Sequence, residues 1–269
     1  MKLTAIRPHD TIALGDGAAL PPRSLDADDD TLEKKMEKLR VRLDELQHAL
    51  YAESEQSLLV VLQARDAGGK DGTIRRVFSS INPQGCSVTA FKAPTHMELS
   101  HDYLWRIHAA VPGRGMIGIF NRSHYEDILA VRVHKLAPKK VWKARYAQIN
   151  DFERILTENG VTIVKFFLHI SREEQRVRLC ERLTDETKNW KFQESDLAER
   201  ELWDDYTEAY ADVLRKCSTK RAPWFLVPAD RKHARDYLVL EKIVSTLERM
   251  NPTYPEADPK TLKLLTELQ

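Results

Sequence analysis

The sequence predicts an α/β domain built on a five-stranded parallel sheet, and three observations carry that expectation. Short runs that are apolar on both faces, such as residues 58–62 and 116–120, recur between longer segments of helical periodicity. Strands buried on both sides by helices have that pattern. Strands and helices alternate along the chain, as crossover connections in a parallel sheet require. The first apolar run also breaks abruptly into Ala64-Arg65-Asp66-Ala67-Gly68-Gly69-Lys70-Asp71-Gly72-Thr73, which reads as a strand, a glycine turn and a helix start.

The totals fit one large domain or two small ones, and no composition shift marks a second. Of the 269 residues, 42% are hydrophobic and 31% charged, so the chain is expected to fold around a sizeable core. A net charge of +1 argues against a general nucleic-acid binder and leaves room for local basic patches. Cys86, Cys180 and Cys217 are odd in number and far apart, so neither a disulfide framework nor a zinc site is expected. A reducing cytoplasm fits best. The N-terminus has no signal-peptide core. Nothing approaches the roughly 18–20 apolar residues that span a membrane.

Residues 1–29 carry three prolines and an acidic end, and are expected to form an arm over the surface. Asp30 or Thr31 can cap a helix to Glu53, with Leu32, Met36, Leu39, Leu43, Leu46 and Leu50 at spacings of three and four. The first strand is expected at 57–63, followed by the glycine loop and a helix to about residue 80. A strand at 87–91, a helix at 96–110 and a third strand at 116–120 come next. The chain turns helical again near Glu126, and a long helix follows Pro138 to Asn159. The fourth strand covers 161–170 and a charged helix 172–182, with a loop over 184–194. A helix at 196–216, a fifth strand at 223–227 and a last helix at 231–250 complete the domain. The domain thus spans 30–255, and 256–269 is a tail.

In open parallel sheets, ligands gather at the carboxyl ends of the strands. The glycine loop there is a candidate phosphate cradle, because its N–H groups and the helix dipole behind them favour anions. Ala64, Gly69 and Lys70 fall where a phosphate-binding loop has its first glycine, last glycine and lysine. Asp71 stands where a Mg²⁺-binding hydroxyl is usual, so Asp66 and Asp71 become candidate metal ligands, with Asn121 or Glu126 after the third strand as further candidates. Arg122 offers a fork suited to phosphate oxygens. Arg75, Arg76, Lys92 and Arg106 extend the cationic side. Residues 172–191 alternate charges, which fits a solvated helix face or a lid that brings arginines to the reaction. None of the histidines has metal-chelating spacing, so core or surface roles are expected.

The segments Ala64 through Gly72, Phe120-Asn121-Arg122-Ser123-His124-Tyr125-Glu126, Trp190-Lys191-Phe192, Leu104-Trp105-Arg106 and Ala222-Pro223-Trp224 through Lys232 together resemble the polyphosphate kinase 2 family. The resemblance covers roughly residues 30–255. It implies a P-loop kinase fold like that of thymidylate kinase: a three-layer αβα arrangement with a helical lid at about 172–195. It also implies phosphoryl transfer between inorganic polyphosphate and nucleotides, with Mg²⁺ as cofactor and Mn²⁺ as a candidate substitute. Asn121 in place of the more usual Asp resembles class III, which phosphorylates both AMP and ADP; ATP and guanine nucleotides are further candidate partners. Carried over by position, the catalytic residues are Asp66, Lys70, Asp71, Arg122, Arg178 and Arg182. Substrate contacts are expected at Ala67, Gly68, Gly69, Gly72, Thr73, Arg75, Arg76, Lys92, Arg106, Asn121, Tyr125, Glu126 and Lys191. The family likeness further implies a homo-oligomer, a dimer or a tetramer, with no nucleic-acid or membrane partner. An ATP-dependent small-molecule kinase and a non-catalytic nucleotide-binding switch remain the alternatives.

Overall fold

Asp28 opens the first long helix in the computed structural model, which describes residues 2–8, 10–25, 28–264 and 268. Its carboxylate accepts the Thr31 amide at 2.7 Å, so the cap lies two residues before the earlier of the two expected ones. The elements then run α1 (Asp29–Glu53), β1 (Ser57–Ala64), α2 (Lys70–Val77), β2 (Cys86–Ala90), α3 (His96–Leu99), α4 (Trp105–Ala109) and β3 (Ile117–Asn121). They continue with α5 (Glu126–Val133), α6 (Lys139–Glu158), β4 (Val161–His169), α7 (Arg172–Thr184), α8 (Ser195–Glu201) and α9 (Trp203–Lys216). β5 (Trp224–Pro228), α10 (Lys232–Met250) and α11 (Pro259–Lys263) complete the chain.

The five strands form one parallel sheet in the order β2-β3-β1-β4-β5. β1 is central and buried along its whole length. Successive residues of a strand face opposite sides. Leu58, Val60 and Leu62 therefore pack with α1 and α10 residues, whereas Leu59 and Val61 pack with the Trp142, Ile149 and Val213 side. That division makes three layers, helix–sheet–helix.

Two expected helices are broken. Residues 96–110 form α3 and α4, because Ser100 Oγ bonds back to the Met97 carbonyl and Asp102 accepts the Leu104 amide, at 2.7 and 2.9 Å. Such side-chain bonds compete with the helical ladder. Residues 196–216 divide at Leu202 into α8, which buries no side chain, and α9, which starts on buried Trp203. α9 goes on to bury Ala209, Tyr210, Val213 and Leu214.

The N-terminal arm is anchored. The Ile6 amide bonds to the Trp224 carbonyl at 2.9 Å, and Leu3, Leu14, Ala19 and Leu25 are buried. The parts of the arm and tail at residues 1, 9, 26, 27, 265–267 and 269 lie outside the described residues. Among the described residues no helix is long and apolar enough to cross a membrane.

Candidate functional site at the strand ends

β1 delivers its chain into the sheet rim at Ala64, and the glycine loop turns there into α2. Two glycines make the turn possible. A Cβ on Gly68 would sit 2.5 Å from the Ala64 Cβ, so Ala64 can replace the usual first glycine only while residue 68 has no side chain. Gly69 has φ +93°, and a Cβ there would lie 2.0 Å from Arg235 Nη1. The first regular bond of the helix runs from the Thr73 amide to the Gly69 carbonyl, 2.9 Å. The preceding first-turn N–H groups have no partner within the helix and face the rim. Lys70 curls back so that Nζ donates to the Ala64 carbonyl at 3.1 Å. Burial, reinforced by the charge of Arg122, pushes its ammonium down to about 8.

β3 supplies the facing wall. Leu62 of β1 pairs with Asn121 of β3, so the residues just beyond both strands meet. Asn121 Nδ2 donates to Asp71 Oδ1 at 2.7 Å, and Arg122 Nη2 donates to Asp66 Oδ1 at 2.8 Å. Arg122 adopts φ +63° while its amide still bonds to the Leu62 carbonyl. From the lid side, Lys191 Nζ stands 3.7 Å from Asp71 Oδ2. Arg182 pairs with Asp196 at 3.2 Å on the rim. Burial raises the Glu126 carboxyl above its ordinary range, with Arg122 and Lys70 opposing. Asp66, Lys70, Asp71, Asn121, Arg122, Glu126 and Lys191 are thus gathered in one place.

Other expected contacts are turned away. Thr73 is buried, with its hydroxyl on Asp236 at 2.9 Å. Arg76 pairs with Glu33 and Asp236, joining α2 to α1 and α10. Arg106 donates to the Lys92 carbonyl and lies near Glu98 and Asp127, so it clips the end of β2 to its neighbours. Tyr125 is completely buried and bonds to Glu153 and Lys165. Arg178, expected as a catalytic arginine of the lid, is 6% exposed and bonds to the loop instead. It donates to the carbonyls of Ala67, Ala229 and Asp230 and to Glu174. Lys92 and Arg75 are exposed. Ala67, with φ +59°, forms part of the loop backbone, and Gly72 lies in the first turn of α2.

A cavity of about 270 Å³ opens beside the loop. Ala64, Arg65, Asp66, Arg122 and Glu126 form its floor, and Glu199, Trp203, Tyr206 and Tyr210 its far wall. Residue type alone did not single out Arg65. It is 6% exposed, its guanidinium lies 3.9 Å from the Trp203 ring centroid, and its Nε–H has no partner. Burial lowers it to about 10. Its only sequence signal is an arginine directly after a mainly apolar strand. Gln175 of α7, also missed, donates to the Asp66 carbonyl at 3.1 Å.

Comparison with known proteins finds relatives over most of the chain. The polyphosphate kinase 2 family model matches residues 26–255. An AMP/ADP-polyphosphate phosphotransferase of Meiothermus ruber is 52% identical over 229 residues, covering 85% of this chain and 86% of that protein. An ADP-polyphosphate phosphotransferase of Rhodopseudomonas palustris is 46% identical, covering 85% and 83%. The crystal structure of polyphosphate kinase 2 from Arthrobacter aurescens TC1 superposes with a TM-score of 0.90 at 41% identity, over 98% of this chain and 95% of that one.

Proposed function

The chain belongs to the polyphosphate kinase 2 family, and from that premise we infer that it phosphorylates both AMP and ADP at the rim described above. The enzyme is a polyphosphate-dependent nucleotide phosphotransferase. The observation that supports this rim as the reaction centre is the paired clamp: Arg122 on Asp66 and Asn121 on Asp71, astride Lys70. Two loop carboxylates are thereby held open toward the phosphate cradle.

The acceptor is itself a phosphate anion, so no strong base is required. The obstacle is repulsion between two polyanions, about 4 kcal/mol per unit-charge pair at 4 Å and an effective dielectric of 20. Lys70 and Arg122 lie where they can offset it, and Arg182 and Lys191 would add charge from the lid. The cavity beside the loop takes the nucleotide, with Tyr206 and Tyr210 among its lining residues and the Arg65 guanidinium against the Trp203 ring at its edge. The loop N–H groups and exposed Arg75 hold polyphosphate. Lys92 extends the cationic rim.

The donor chemistry fits Mg²⁺, with Mn²⁺ as substitute. Among the described residues no three His, Cys, Asp or Glu side chains converge on one point, so Asp66 and Asp71 would hold the ion with phosphate oxygens and water. When bound, it supplies charge neutralisation between donor and acceptor phosphates. Unpaired Cys86, Cys180 and Cys217 suit a reducing cytoplasm.

The test is direct. Incubation with long-chain polyphosphate, Mg²⁺ and either AMP or ADP should give ADP and ATP. Product from only one nucleotide would remove the dual assignment, and product from neither would remove the whole reading.

A further inference from the structure

Lys165 interrupts the apolar interior of β4, between Val164 and Phe166; it points into the layer containing Trp224 and Cys217 and is completely buried. Its Nζ has three acceptors: the Tyr125 hydroxyl at 2.7 Å, the Cys217 carbonyl at 2.8 Å and Glu153 Oε2. The other Glu153 oxygen accepts the Tyr125 hydroxyl at 2.8 Å and His124 Nε2 at 3.2 Å. His124 Nδ1 is buried without a partner, which fits a neutral ring protonated on Nε2. Burial lowers the His124 imidazole, in keeping with that state. For Glu153, burial works toward protonation, but the charge of Lys165 and the His124 bond outweigh it and keep the carboxylate ionised.

On the opposite side of the same segment stands Gln63 of β1. With its amide oxygen toward Ser123, that oxygen accepts the Ser123 amide at 3.2 Å and hydroxyl at 3.1 Å, and the amide nitrogen donates to Glu126 Oε1 at 3.0 Å. Ser123, His124 and Tyr125 are therefore gripped one after another, and the residues on either side of them are Arg122 and Glu126. A buried ion pair is weak evidence for stability, since an apolar pair of similar volume often does as well. Placement beneath a loop with a left-handed arginine calls for another reason.

We propose that Tyr125, Glu153 and Lys165, with Gln63 opposite, form a positioning clamp that fixes the backbone of residues 122–126 and so aims Arg122 at the transferring phosphate. The proposal rests on the phosphotransfer reading of the rim. The clamp residues touch no substrate and act through their neighbours.

Tyr125→Phe deletes one hydroxyl and keeps the ring. Amide hydrogen exchange at 122–126 should accelerate at least about tenfold relative to amides of α6 and β4, since local opening reports local bonds. This measurement needs no turnover, so it decides the clamp even if the substrate assignment fails. In the polyphosphate assay kcat should fall about tenfold, because small misplacements near the chemistry are costly. The KM for nucleotide should hold. With Arg122 already replaced by Ala, the same substitution should have no further effect on kcat. Gln63→Met, which removes the bonds to Ser123 and Glu126 on the other side, should show the same exchange signature. Unchanged exchange at 122–126 in both variants would overturn the proposal. So would a kcat loss that persists in full beside Arg122→Ala.

Discussion

Lys70 and Asp66 make the sharpest demands at the scale of single residues. Either one replaced by Ala should lower kcat by about 10² or more with the fold intact, as expected when a charge acting on the transition state is lost. Circular dichroism and steady-state turnover together check it, and near-normal turnover in either variant would remove that residue from the reaction. Lys70 also sets a pH limit. Its ammonium is held down at about 8, so it loses charge as pH rises through that value. kcat/KM for polyphosphate reports the free enzyme and should fall above about pH 8, where anion binding loses this cation. A profile flat to pH 9.5 would contradict that. Arg178 behaves differently from its sequence expectation. Removing it strands the buried carbonyls of Ala67 and Ala229, at about 1–3 kcal/mol for each buried group left unpaired, and loses the part-buried bonds to Asp230 and Glu174. Arg178→Ala should therefore lower the melting temperature by several degrees, and its activity loss should follow from the loosened loop. An unchanged melting temperature would return Arg178 to a direct catalytic role. What the sequence disclosed at this scale was position after an apolar strand, which found Asp66, Lys70, Asp71 and Arg122. It did not disclose direction. Thr73 and Arg76 share α2 with Gly72, yet they face Asp236 on the far side of that helix.

Among elements, the glycine loop is the least replaceable, because two other elements press on it. Arg235 of α10 and Arg178 of α7 both approach Gly69. Gly69→Ala meets a positive φ, worth about 1–2 kcal/mol for an L-residue, and a collision with Arg235. Expected are a lower melting temperature and a turnover loss of more than tenfold; wild-type values for both would mean that the loop reshapes freely. Strands and long helices were legible because periodicity reports which faces are buried, as the stripe from Leu32 to Leu50 in α1 shows. The breaks at residues 100–104 and 202 were not, because they depend on single hydroxyl and carboxylate bonds and on which neighbour Trp203 packs beneath. The buried clamp left only one trace in the sequence, a lysine amid Val164, Phe166 and Phe167.

For the whole molecule, the strand order has a consequence in time. β1 is made early, but its two sheet neighbours are β3 and β4, and β4 begins only at Val161. A ribosome adding about 5–20 residues per second leaves the eight-residue strand, buried along its length in the finished fold, without one edge partner on the order of ten seconds. A chain stopped at residue 160 should consequently aggregate or stay bound to chaperones, while the full chain stays in solution; sedimentation of the two after parallel expression checks this. A soluble, cooperatively melting 1–160 fragment would show that β4 is dispensable for closure. The same central placement that lets β3 and β4 feed one rim from either side makes the nascent chain wait for its middle to be completed before that rim exists at all.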